Sequence, residues 1–164
     1  MVQNYNVYEI FEIAQQIEKS GGSFYRKAAN AVEDEKSKEF LNQLADMESV
    51  HESYFQSLMN KYKLYENTAF IDLESQSAGY LHAVAEGYVR THLHQNMSFP
   101  EKGTMADILE QAIKFEESTV VYFSALKASI RENSEKEKIE SLILEELSHI
   151  SILLEKLRTI ESSN

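Results

Sequence analysis

Proline occurs once in the chain, at Pro100, and glycine only at positions 21, 22, 79, 87 and 103. A protein built of strands and tight turns draws on those two residue types throughout, so their scarcity favours long helices. The apolar spacing agrees. Ile10, Ala14, Ile17, Phe24, Ala28 and Val32 recur at helical intervals and predict a helix over about 7–33. Asn6 caps it, and Glu9, three residues later, completes a capping box. Leu41, Leu44, His51, Phe55 and Leu58 predict a second helix over about 36–64. Thr104, following Pro100 and Gly103, caps a third over about 105–131, whose stripe is Ile108, Ala112, Phe115, Thr119, Phe123 and Leu126. Ser134 with Glu137 reads as another capping box, opening a helix over about 135–160. Short connections within each pair imply antiparallel neighbours. The intervening stretch 65–104 is too long for a bare loop, and about 77–93 reads as a shorter helix inside it. The expected fold is all-α: a four-helix bundle with one long crossover that carries a short extra helix, residues 1–164 forming one domain.

The chain also repeats itself. At an offset of 98 residues Glu18 falls on Glu116, Glu48 on Glu146 and His51 on His149. The surroundings follow, with Ala14 on Ala112, Phe24 on Tyr122, Tyr25 on Phe123, Leu44 on Leu142 and Phe55 on Leu153. Each half thus offers one Glu on its first helix and a Glu-x-x-His pair on its second. Each of the four glutamates follows an apolar residue of its stripe by four and precedes another by seven, so all four point to the core. Burying one unpaired carboxylate costs several kcal/mol, and four together repel one another. The stripes bring no lysine or arginine beside them. Two divalent cations would neutralise the four charges, with the imidazoles completing the coordination. The expected metal ligands are therefore Glu18, Glu48, His51, Glu116, Glu146 and His149, with Glu48 and Glu146 bridging, Glu18 and Glu116 terminal, and one histidine to each metal. Oxygen and imidazole donors without sulfur suit two iron ions, with manganese or zinc as substitutes.

Composition narrows the field. No cysteine is present, which excludes disulfides, thiolate catalysis and iron–sulfur clusters. The formal charge of −11 opposes nucleic acid and anionic membrane partners. The start, MVQNYNVYEIFE, lacks the basic and apolar regions of a signal peptide, and no apolar run approaches a bilayer span, so the expectation is a cytoplasmic protein.

The segments IEKSGGSFYRKAA, MESVHESYF, AIKFEESTVVYF and EELSHISIL resemble the four ligand helices of the rubrerythrin-type branch of the ferritin-like superfamily. The resemblance spans nearly the whole chain. It implies a ferritin-like fold, a non-haem di-iron centre that reacts with hydrogen peroxide or dioxygen, and the six ligands named above. Two departures qualify it. Rubrerythrins with a rubredoxin-like module feed electrons to the site through paired Cys-x-x-Cys motifs; with no cysteine, this chain requires an external electron donor. Thr119 stands where those proteins carry a further glutamate, which makes the site the symmetric, bacterioferritin-type version. Three readings follow: a peroxide- or dioxygen-reducing oxidoreductase, a ferroxidase or iron-handling protein, and a metal-binding module without turnover. Analogy also implies a homo-oligomer, at least a dimer.

Other residues are ambiguous from sequence. Tyr25, two turns after Glu18, could hydrogen-bond a ligand carboxylate or simply fill the core. Gly21 and Gly22 interrupt a helix and could admit a close neighbour beside Glu18. In the crossover, Glu86 shares a face with His82 and could add a ligand, though with His92 and His94 it fits a solvated face better. Glu52, Glu117 and Glu145 adjoin the ligand positions but are turned about 100° away along the helix and are set aside.

Overall fold

The computed structural model describes residues 5–63, 71–72, 75–90 and 103–162. Each helix begins where local chemistry satisfies its first N–H groups. Helix α1 (Val7–Ala31) opens on the capping box: Glu9 N donates to Asn6 Oδ1 at 2.9 Å, and Asn6 N donates to Glu9 Oε2 at 2.8 Å. It stops at Val32, whose backbone is extended. Helix α2 (Glu35–Lys63) follows almost at once. Helix α3 (Gln76–Tyr88) is capped by Ser75 and lies in the crossover; the remainder of the expected 77–93 helix, with His92 and His94, falls outside the described residues. Helix α4 (Met105–Ser129) opens on a box formed by Thr104 and Asp107. It ends because Ile130 turns extended and pairs with Ile71, while Arg131 meets Asp72 at 2.9 Å, which pins the crossover to the end of α4.

Helix α5 (Asn133–Glu161) starts differently from the expectation. Its N-cap is Glu132, which makes no side-chain cap, and Ser134 Oγ instead donates to Glu132 Oε1. The first turn is fixed from outside. Buried Glu135 accepts hydrogen bonds from Tyr54 (2.8 Å) and Lys61 (3.0 Å) on α2, and Glu132 accepts one from Tyr62. Cross-bundle anchoring of Glu135 draws Ser134 inside the helix and overrides its propensity to cap.

Contacts between helices set their directions. Gln15 meets Gln56 while Arg26 meets Asn42 and Asp46, so α1 and α2 are antiparallel. Lys61 meets Glu135 while Glu48 faces His149, so α2 and α5 are antiparallel too. Tyr25 reaches Glu116 and Tyr122 reaches Ile10, which opposes α1 and α4. Helices α2 and α4 consequently run the same way, and the chain must return along the bundle between them. That is the reason for the crossover. Apart from the one bridge, the described residues form helices only.

Two apolar clusters fill the bundle. One gathers Phe11, Ile17, Phe55, Phe123, Leu126 and Ile139; the other gathers Tyr25, Ala28, Leu41, Leu109, Ala112 and Leu153. Along every long helix the chain passes from one cluster to the other, and the residues between them are the polar ones of the repeat.

Candidate metal centre

Helix α1 delivers Glu18 to that gap, α4 delivers Glu116, α2 delivers Glu48 and His51, and α5 delivers Glu146 and His149. None of the six is more than 1% exposed. Their donor atoms fall into two groups, each within 4.8 Å: Glu18, Glu48, His51 and Glu146, and Glu48, Glu116, Glu146 and His149. Glu48 and Glu146 belong to both. Each group therefore offers three carboxylates and one imidazole. The two imidazoles are stacked, with centroids 6.1 Å apart.

Both histidines face the carboxylates through Nδ1. His51 Nδ1 lies 2.8 Å from Glu146 Oε1 and 3.2 Å from Glu18 Oε2. His149 Nδ1 lies 3.0 Å from Glu146 Oε2, 3.4 Å from Glu48 Oε1 and 3.6 Å from Glu116 Oε1. The contact of His51 with Glu18 is a hydrogen bond, and the others are ion-pair contacts. Glu18 Oε1, both oxygens of Glu48 and Glu146, Glu116 Oε2 and both nitrogens of His149 make no hydrogen bond among the described residues. Buried polar atoms are rarely left so, and a cluster of them around one point is what a cation site requires.

Electrostatics carry the same message. Burial, with repulsion from Glu146, raises Glu18 to about 7 against the opposing pull of His51. Burial and the charge of Glu48 raise Glu116 to about 8. Glu48, buried beside Glu18, is pushed well above the carboxylate range. Glu146 goes the other way: burial would raise it, but close contact with both imidazoles brings it down to about 2. Burial would likewise lower the histidines, yet Glu146 and Glu18 raise His51 to about 11, and Glu116, Glu146 and Glu48 raise His149 to about 12. The upward shifts of Glu18, Glu48, Glu116 and both imidazoles favour protons bound within the cluster. A divalent ion would displace them.

The neighbours explain further choices of residue. A Cβ at Gly21 would lie 2.7 Å from Phe115 Cε1 and 2.8 Å from Glu48 Oε2, so the missing side chain is the space that the Glu48 carboxylate occupies. Gly22 meets nothing closer than 3.5 Å. Tyr25, fully buried, donates its hydroxyl to Glu116 Oε1. Thr119 is buried and turns its hydroxyl to its own helix, onto Phe115 O. Glu145 is the residue that sequence reasoning set aside wrongly. Although turned off the apolar stripe, it reaches across to α2, with Oε2 2.9 Å from His51 Nε2. Glu86 is in neither donor group; it is half-buried on α3, where its charge acts on Tyr5. His82 is not on a solvated face. It is 6% exposed, accepts a hydrogen bond from Tyr5 N at Nδ1, and stacks on the Tyr5 ring.

Comparison with known proteins decides the family. The sequence model of rubrerythrin matches residues 9–97, more than half of the chain, taking in α1 from its third residue and all of α2 and α3. The chain belongs to the rubrerythrin family. The match includes Glu18, Glu48 and His51 but stops before α4, so the second half of the chain is placed by its fold. A crystal structure of a protein described as a ferritin-like diiron-carboxylate protein, from Thermotoga maritima, superposes with a TM-score of 0.67 at 20% identity. The alignment covers 95% of this chain and 97% of that one, which establishes the ferritin-like fold across both halves. No curated protein matches the sequence. Among the described residues, no helix is long and apolar enough to cross a membrane.

Proposed function

We propose that this member of the rubrerythrin family is a cytoplasmic non-haem di-iron oxidoreductase, residues 1–164 acting as one domain, which reduces hydrogen peroxide or dioxygen with electrons from an external donor. The observation that carries the reading is the buried, hydrogen-bond-poor cluster of four glutamates and two histidines, divided into two groups that share Glu48 and Glu146. In this reading Glu48 and Glu146 bridge, Glu18 and Glu116 are terminal ligands, and His51 and His149 serve one ion each. Four carboxylates balance two divalent ions in charge, and the oxygen and nitrogen donors suit iron or manganese. The bound ions would supply the electrons and the open coordination positions for the oxidant.

The chain's own contribution is placement. Gly21 leaves room for Glu48, Tyr25 holds one oxygen of Glu116, and the flanking aromatic clusters keep bulk water from the centre. The second reading, a ferroxidase, is favoured by Thr119, which gives the site no fifth carboxylate. Rapid mixing separates the two. The ferrous protein should be oxidised by peroxide within the mixing experiment and return to the ferrous state with a reductant, cycle after cycle. Oxidation by dioxygen followed by release of ferric iron supports the ferroxidase instead. No spectral change with either oxidant overturns both.

A further inference from the structure

His51 and His149 are equivalent in the repeat, but their outward nitrogens meet different surroundings. His51 Nε2 lies 2.9 Å from Glu145 Oε2, supplied by the facing helix α5. The counterpart of Glu145 at the 98-residue offset is Met47, whose thioether is a poor acceptor. His149 Nε2 is buried and makes no hydrogen bond among the described residues. An imidazole that coordinates through Nδ1 carries its proton on Nε2. A carboxylate accepting that proton fixes the tautomer, holds the ring in place and makes Nδ1 a stronger donor.

A second departure from the repeat acts on the same side. Tyr25 donates to Glu116, whereas its counterpart facing the other half is Phe123, which has no hydroxyl to offer Glu18. A phenol bonded to Glu116 draws off part of the charge that this carboxylate could give a cation. Both departures favour the position built on His51 over the one built on His149.

Resting on the dinuclear reading above, we infer that the two metal positions are unequal. The position of Glu18, Glu48, His51 and Glu146 fills first and holds its ion. The position of Glu48, Glu116, Glu146 and His149 fills second and exchanges first. Glu145 is the positioning residue behind the difference.

The test is a titration of the metal-free chain with Mn²⁺ alone, followed by equilibrium dialysis and electron paramagnetic resonance. The first equivalent should give the six-line signal of an isolated ion, and the second should replace it with a coupled signal. Glu145→Ala should weaken the first step by about 10–100-fold and leave the second nearly unchanged. The Glu145 side chain is 49% exposed, so its loss should not unfold the chain. Glu145→Gln, which keeps an acceptor, should recover part of the lost affinity. Met47→Glu should strengthen the second step. Two ions bound with a coupled signal from the start, or a first step indifferent to Glu145→Ala, would overturn the inequality. Fewer than two ions bound by the unmodified chain would overturn the dinuclear reading itself.

Discussion

Gly21 permits a test in which one methyl group separates stability from metal binding. Two neighbouring glycines sit in the same helix, and replacing either with alanine gains roughly 1 kcal/mol of helix propensity. The surroundings differ. At Gly22 the new Cβ would find Glu48 Cβ at 3.5 Å and Ala45 O at 3.6 Å, ordinary contacts, so Gly22→Ala should stabilise by up to about 1 kcal/mol. At Gly21 the Cβ would meet the Phe115 ring at 2.7 Å and Glu48 Oε2 at 2.8 Å. The carboxylate end could swing aside, but the ring is packed in the core, and overpacking of this kind costs about 1–3 kcal/mol. Because the propensity gain is common to both, the difference between the variants isolates the overpacking. Gly21→Ala should unfold about 1–3 kcal/mol below Gly22→Ala in a denaturant titration. Glu48 lies in both donor groups, so Gly21→Ala should also lose affinity for both ions, while Gly22→Ala keeps it. Equal stabilities together with equal metal affinities would refute the claim that Gly21 exists to seat Glu48.

Other consequences are as direct. Tyr25→Phe removes the only hydroxyl bonded to Glu116 Oε1 among the described residues and should destabilise the metal-free chain by about 1.5–3 kcal/mol in the same titration. The metal-free chain should also lose stability as pH rises from about 5 to 8. Glu18 and Glu116, raised to about 7 and 8 by burial, retain protons in the fold that the unfolded chain releases near 4.5, so each rise in pH through that window favours unfolding. His51 and His149 act in the same direction above about 6.5, since their raised values mean that the stability they contribute is complete below that pH and is lost towards 11 and 12. Glu146, lowered to about 2, contributes stability that is lost only as pH falls below 4.5, outside this window. Melting temperatures at pH 5.5 and 8 check the sign. The metal-loaded chain should show the opposite trend, because its ligands must be deprotonated. A metal-free chain that becomes more stable towards pH 8 would contradict the electrostatic account.

The helices were legible because apolar spacing and caps act locally, and their ends depart from expectation where a distant contact intervenes. Helix α4 stops at Ser129 because Ile130 pairs with Ile71, and α5 begins early because Glu135 is held by Tyr54 and Lys61. Neither partner can be found from the spacing of the helix itself. The six convergent residues were visible because they lie on apolar stripes and recur at one offset, two independent signals on the same positions. Glu145 gave neither. It lies off the stripe, and the repeat places Met47 opposite it, so only the packing of α5 against α2 brings it to His51. Gly21 carried a signal, a glycine within a helix, but not the identity of the atom that needs the space.

The account rests on the two donor groups holding two ions, and anaerobic loading with ferrous iron followed by gel filtration and metal analysis tests that most directly. It predicts two irons per chain, and almost none in Glu48→Ala and Glu146→Ala, since each of these residues serves both groups. Iron retained undiminished in either variant, or an unmodified chain that binds none, would contradict it.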